Sequence, residues 1–197
     1  MPDPKSKAVD GRFRRPLLQG ALAVAATAMV VVPAPALAAT YLKLGDIKGE
    51  SVDVKHKDQI EILSFTQSWI SPFEGGFGGA GVGKVQCGPV TMMKNIDKSS
   101  PLLLKGVATG EYFDTAVVSF GVTDSTGRAA SDYYTISMDN VFVTELSQTD
   151  EKDPNRIFEK LVLNAQVFTF KYQPQSAKGS LGDPVIFKWD CAQNKGT

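Results

Sequence analysis

Histidine is almost missing from this chain: His56 is the single example, and Cys87 and Cys191 are the only cysteines. Two thiols that far apart, with one imidazole, do not make a spaced zinc motif. No nucleophile elbow and no second imidazole accompany His56. An excess of one charge is also lacking, since 21 basic residues face 21 acidic ones. Nucleic-acid binders carry a basic patch, so no polyanion partner is expected. After residue 39 no apolar run is long enough to span a bilayer, so no membrane insertion is expected there.

What is present begins with a leader. Arg14 and Arg15 precede an uncharged apolar run from Pro16 to Val32, and Pro33-Ala-Pro-Ala36-Leu37-Ala38 follows. A basic head, an apolar middle and small residues in an A-x-A pattern describe a secretory signal peptide. A membrane anchor is the alternative, but 17 Ala-rich residues ended by Pro33 and Pro35 are marginal for a core about 30 Å thick. Cleavage is expected between Ala38 and Ala39. The paired arginines with Leu17-Leu18 resemble a twin-arginine (Tat) signal, which carries folded cargo; a Sec signal is the alternative. Residues 1–38 are thus read as the leader and 39–197 as one domain, exported to the periplasm or beyond. The leader holds five of the basic residues and two of the acidic ones, so the remainder has a net charge of −3.

Both cysteines lie in the exported part, where disulfides persist. Cys87 stands two residues after Val85, and Cys191 two after Trp189. Residues two apart share a strand face, so both sulfurs face the interior if Val85 and Trp189 do. A Cys87–Cys191 bridge is the expectation, and two separately buried thiols are the alternative. A closed loop of this length corresponds to on the order of 4–5 kcal/mol in the chain-entropy picture.

The exported part reads as mostly strand. Tyr41–Leu44 alternates in polarity, Ile47–Lys57 is a polar loop, and Ile60–Trp69 returns to strand character. Ser71–Gly83 is a loop with glycine at 75, 76, 78, 79, 81 and 83. Such a stretch has no fixed backbone preference and is flexible or conforms to a partner. Lys84–Asn95 is a strand interrupted near Gly88-Pro89. One helix is expected from Ser99-Ser100-Pro101 through Ala108, with serine capping free amides and Gly110 ending it. Strand segments follow at Asp114–Val122, Asp132–Gln148, Arg156–Tyr172 and Val185–Trp189. Many strands, one helix and intervening turn residues point to an antiparallel sandwich or barrel.

Several motifs invite over-reading. Gly78–Lys84 matches G-x-x-x-x-G-K, but Val85 stands where Ser or Thr should hold magnesium, and a strand rather than a helix follows. Gly76–Gly81 matches G-x-G-x-x-G without its βαβ setting. His56, between Lys55 and Lys57, reads as a solvated loop histidine; Asp150, Glu151 and Asp153 read as solvated charges of a hairpin loop. No catalytic, cofactor or metal residue is assigned.

Longer phrases carry a resemblance. Tyr41-Leu-Lys-Leu-Gly-Asp-Ile-Lys-Gly-Glu-Ser51, Lys94-Asn-Ile-Asp-Lys-Ser-Ser-Pro101, Ala108-Thr-Gly110, Tyr172-Gln-Pro-Gln175, Gly179-Ser-Leu-Gly182 and Pro184–Trp189 resemble the Hcp family, the tube protein of type VI secretion. The match runs from about Tyr41 to Asn194. It implies a mainly β fold, an antiparallel two-sheet β-barrel with one flanking α-helix. It implies hexameric rings that stack into a tube, a lumen able to hold small effector proteins, and no catalysis. It also implies an extended loop with a part in ring contacts. Ser71–Gly83 occupies that place, with Phe73, Gly75, Gly76, Phe77, Gly78 and Gly79 as the assembly residues.

The leader departs from the family, whose members assemble in the cytoplasm. Three readings follow: a non-enzymatic ring subunit that self-assembles or binds small proteins, a secreted monomeric binding domain of the same fold, or an exported hydrolase with a cryptic site.

Overall fold

A computed structural model describes residues 38–72, 83–123, 129–150, 156–175 and 181–196. Eleven strands and one helix are found among them: β1 (Ala38–Leu44), β2 (Ile60–Ile62), β3 (Ser64–Thr66), β4 (Trp69–Ile70), β5 (Gln86–Cys87), β6 (Val90–Asn95), α1 (Ser100–Thr109), β7 (Tyr112–Thr123), β8 (Ala129–Thr149), β9 (Phe158–Tyr172), β10 (Val185–Asp190) and β11 (Lys195–Gly196).

All pairings are antiparallel, and those among β1, β2, β3, β6, β7, β8 and β9 run in a circuit. β1 lies between β2 and β7, β7 pairs β8, β8 pairs β9, β9 pairs β6, and β6 pairs β3. β2 and β3 are one chain stretch divided only at Leu63, whose amide donates to the Met93 carbonyl at 2.7 Å. The ladder therefore returns to where it began, which leaves no open edge in that ring of strands. β9 changes partners along its length: Phe158–Leu163 pairs β6, and Val167–Tyr172 pairs β10. Its longer neighbour β8 bends with it through a bulge at Thr144, where Val143 faces Leu163 and Glu145 faces Val162. β9 thus links β6 at one end to β10 at the other, with β8 alongside it throughout.

The core follows from strand alternation. Leu42 and Leu44 of β1, Val90 and Met92 of β6, Ile136 and Met138 of β8, and Leu161 and Leu163 of β9 all point inward and are buried. α1 packs against β8 and adds Leu103 to this core. Gly110 ends the helix as expected, in the left-handed region at φ 64°, with its amide on the Gly106 carbonyl. The helix start differs from expectation. Ser99 makes no side-chain cap; its hydroxyl donates to Asp97 instead, and Asp97 also accepts the Ser99 amide at 2.9 Å.

Asp97 is held there by a charge inside the barrel wall. Lys94, fully buried, sends its ammonium to Glu159 at 2.7 Å, Asp97 at 3.0 Å and Ser100 at 3.0 Å. Those three contacts use all three of its donors. Glu159, equally buried, also accepts from Ser100 at 2.6 Å and from Gln148 at 2.9 Å. β6, β8, β9 and the start of α1 are thereby joined through one charged cluster.

Removing one partner of a buried ion pair strands the other, typically at about 3–5 kcal/mol, whereas removing both costs much less. Lys94→Met is therefore expected to lower unfolding free energy by about that amount in urea titration, and Lys94→Met with Glu159→Leu to recover most of it. A single-variant loss under about 1 kcal/mol would show that the pair is not structural.

Candidate functional site

Two polar clusters and one apolar edge stand out from the rest of the fold. The first cluster lies outside the barrel, over Tyr41. The loop between β1 and β2 folds back on itself: the Gly49 amide donates to the Asp58 carbonyl at 2.8 Å, the Ser51 amide to the Gln59 carbonyl at 3.1 Å, and the Asp58 amide to the Ser51 carbonyl at 2.9 Å. A Cβ on Gly49 would stand 2.3 Å from the Gln59 carbonyl, so only glycine permits this approach. The fold-back carries His56 inward, where it is 3% exposed and stacks on Tyr41 with ring centroids 4.3 Å apart. The expectation of a solvated histidine is thus corrected. Sequence neighbours Lys55 and Lys57 suggested solvent, but the loop's own hydrogen bonds turn the imidazole onto the sheet.

Histidine beside aspartate can serve catalysis, so its bonding decides what it does here. Nε2 lies 2.9 Å from Asp132 and Nδ1 lies 3.1 Å from Gln59. Both nitrogens are occupied by these side chains. Burial raises the Tyr41 hydroxyl above the usual tyrosine range, and the carboxylates of Asp53, Glu61 and Asp132 push it further up, with Ser51 opposing. This cluster pins the loop to β1 and β8. The second cluster, around Lys94 and Glu159, is sealed from solvent and equally unsuited to touch a substrate.

An open groove of about 580 Å³ runs beside the end of β1, lined by Lys43, Asp46, Ile47, Leu102, Lys105 and Glu111 among others. Its charges are mixed, and Lys105 pairs with Glu111 at 3.4 Å. Among the described residues, no group of three or more metal-binding side chains converges.

The apolar edge is β10. Its exposure is 68% at Val185, 58% at Ile186 and 48% at Phe187. Alternation puts Val185 and Phe187 on one face and Ile186 on the other, so apolar side chains meet solvent on both faces. Tyr172, paired with Val185, extends the strip. Sequence reasoning placed this strand but missed its exposure; an unbroken Val-Ile-Phe run normally signals cover on both faces.

Next to β10 stands a two-stranded stem. Among the described residues, β4 and β5 pair only with each other, at Trp69↔Cys87 and Ile70↔Gln86. Bonds from Gly88 to Ser68 and from Gly83 to Pro72 extend the pairing in both directions. Cys87 is bonded to Cys191, just past β10, with Cα atoms 6.2 Å apart. The Val85 amide donates to Asn194 at 2.9 Å. Lys84 leads into β5, so no helix follows the glycine-rich motif. The proposed assembly residues Phe73, Gly75, Gly76, Phe77, Gly78 and Gly79 lie outside the described residues, as do Arg14, Arg15, Glu151 and Asp153. Ala38 and Ala39 open β1, opposite Val122 and Gly121.

Comparison with known proteins agrees with this architecture. Residues 41–175 match the family described as "Type VI secretion system effector, Hcp". The chain is 32% identical to Protein hcp1 of Pseudomonas aeruginosa over 156 residues, covering 78% of this chain and 95% of that one. It is similar to a solved type six secretion system protein, with TM-score 0.71, 26% identity, and 82% of this chain and 100% of that one covered. Hcp1 from Salmonella typhimurium shares the fold at TM-score 0.64 and 22% identity, over 81% of this chain and 99% of that one. The closed antiparallel barrel with its one helix, and these matches along most of its length, place the chain in the Hcp family of type VI secretion proteins.

Proposed function

We propose that this chain is an exported, non-enzymatic Hcp-type subunit that assembles with copies of itself into a ring, a hexamer, able to hold small proteins. The observation that carries the reading is β10, whose Val185, Ile186 and Phe187 are exposed on both faces. A strand like this is covered in the assembled state or becomes an aggregation hazard. The non-enzymatic part is supported by the bonding of His56 at both nitrogens and the burial of Lys94 and Glu159. Export is supported by the leader, and by a disulfide suited to an oxidising compartment. A ring formed there acts apart from any tube built in the cytoplasm. A monomeric binding domain is the competing reading, with β10 as its docking strand.

Light scattering on the exported protein separates the two. The ring predicts a mass of six subunits, and Ile186→Glu is expected to weaken assembly at least tenfold while leaving the far-UV circular dichroism unchanged. A single species of subunit mass at all concentrations would leave the monomeric reading standing.

The stem offers a second test. Pro72 and Gly83 are joined at 3.1 Å, so their ends are close enough for a short turn. Replacing residues 73–82 by Asn-Gly should leave the barrel folded and reduce ring stability, because Phe73 and Phe77 would no longer reach a neighbour. Equal ring stability would mark the segment as a tolerated insertion.

Export makes a third. Mature protein is expected to begin at Ala39, which keeps Ala39–Leu44 opposite their β7 partners. Replacing Arg14 and Arg15 with lysine should stop a twin-arginine route; unchanged export would favour Sec, and an intact N-terminus in the exported protein would refute cleavage.

A further inference from the structure

The stem is attached to the barrel in an unusual way. β4 and β5 share no ladder with the main sheet among the described residues. Beyond its chain connections to β3 and β6, three contacts among the described residues hold the stem: the Cys87–Cys191 bond, the Val85–Asn194 hydrogen bond, and the Trp69 ring set edge-on to Phe168 and Phe170 at 5.4 and 5.5 Å. Two of the three end on the turn between β10 and β11. That turn is itself well fixed. The Cys191 amide donates to Gln166 at 2.8 Å, the Gln193 amide donates to Asp190 at 2.9 Å, and Asn194 takes the left-handed conformation at φ 53°. A small sheet that lacks ladder bonds to its neighbour is held mainly by such point contacts, and a hairpin alone is marginal in water.

The geometry points to the Cys87–Cys191 bond as a redox latch: oxidised, it holds the stem beside β10 in one orientation; reduced, it frees the stem from an otherwise folded barrel, so that self-assembly belongs to the oxidised protein. The assembly half rests on the ring reading above. The stem lies beside the exposed strand on which that reading depends, since Cys191 directly follows β10. Opening the latch is a two-electron step. A dithiol attacks one sulfur, the Sγ–Sγ bond breaks, each cysteine sulfur ends as a thiol, and the reductant leaves as its own cyclic disulfide. The barrel does not depend on the stem in the same way, because its circuit of strands is closed by backbone pairing.

The test compares the exported protein before and after dithiothreitol, by hydrogen exchange and light scattering. Mass spectrometry first verifies that reduction adds about two hydrogens and unlinks the peptides holding Cys87 and Cys191. On reduction, the stem amides of Val85 and Gly88 should exchange roughly tenfold faster or more, while the amides of β1 and β9 within the closed circuit keep far more of their protection. The oligomer should fall to subunit mass. Unchanged stem exchange would overturn the latch. Loosened stem with an unchanged oligomer would overturn its control of assembly. An oxidised protein already of subunit mass would overturn the ring reading and that control together, with the exchange contrast still deciding whether the bond holds the stem. Asn194→Gly keeps the left-handed turn and the disulfide but removes the bond to Val85. It should loosen the stem less than reduction does; equal loosening would assign the hold to the hydrogen bond instead.

Discussion

A lysine with no access to solvent organises this barrel. Lys94 sits in the inward phase of β6, where Val90 and Met92 are its apolar neighbours, and its charge is tolerable only because Glu159, Asp97 and Ser100 surround it. Each partner comes from a different place: the facing strand, the turn after β6, and the first residue of the helix. A hydrophobic residue in the same place could fill the volume, yet it would not require those three groups to arrive together. The cluster therefore fixes where α1 begins relative to the sheet, and the absence of a serine cap is its local consequence. Asp97 is occupied below the helix, and Ser99 turns down to meet it.

The same cluster shows what the sequence carried and where reading it stopped. Strand identities were legible, since alternation and turn residues bounded β7, β8, β9 and β10 within a few positions, and the interruption at Gly88-Pro89 divides β5 from β6. Gly110 as the helix stop was legible for the same local reason. Lys94 and Glu159 were legible in principle: each occupies an inward position of its strand, at even spacing from Met92 and from Leu161. A charge in phase with buried apolar residues signals a buried pair, but alternation alone does not say with whom it pairs. His56 was not legible, because its burial depends on bonds among Gly49, Ser51, Asp58 and Gln59 and on a partner 76 residues away. The exposure of β10 was hidden for the opposite reason. Its composition is that of a covered strand, yet Val185, Ile186 and Phe187 are exposed.

Family membership and the leader make different demands on one chain. The fold is shared with Hcp proteins. The leader-like segment and the disulfide are the two features on which the proposal of export rests. They meet at opposite ends of the domain: Ala38 and Ala39 begin the first strand, and Cys191 lies just before the last. The barrel interior between them holds the buried ion cluster of Lys94 and Glu159.

The closed circuit also sets an order of events in time. β1 cannot be paired on both sides until β7, more than seventy residues later, has been made, since Leu42 faces Val118. β6 waits as long for β9, because Thr91 faces Val162. Contacts so distant in sequence slow folding, because chain entropy is lost before any native pair forms. The strand that would carry the proposed cleavage point has thus only β2 to pair with until β7 has been made. A translocase that needs an unfolded chain would find it threadable for that whole interval, whereas one that moves folded cargo would have to wait until the ribosome had released nearly all of the barrel.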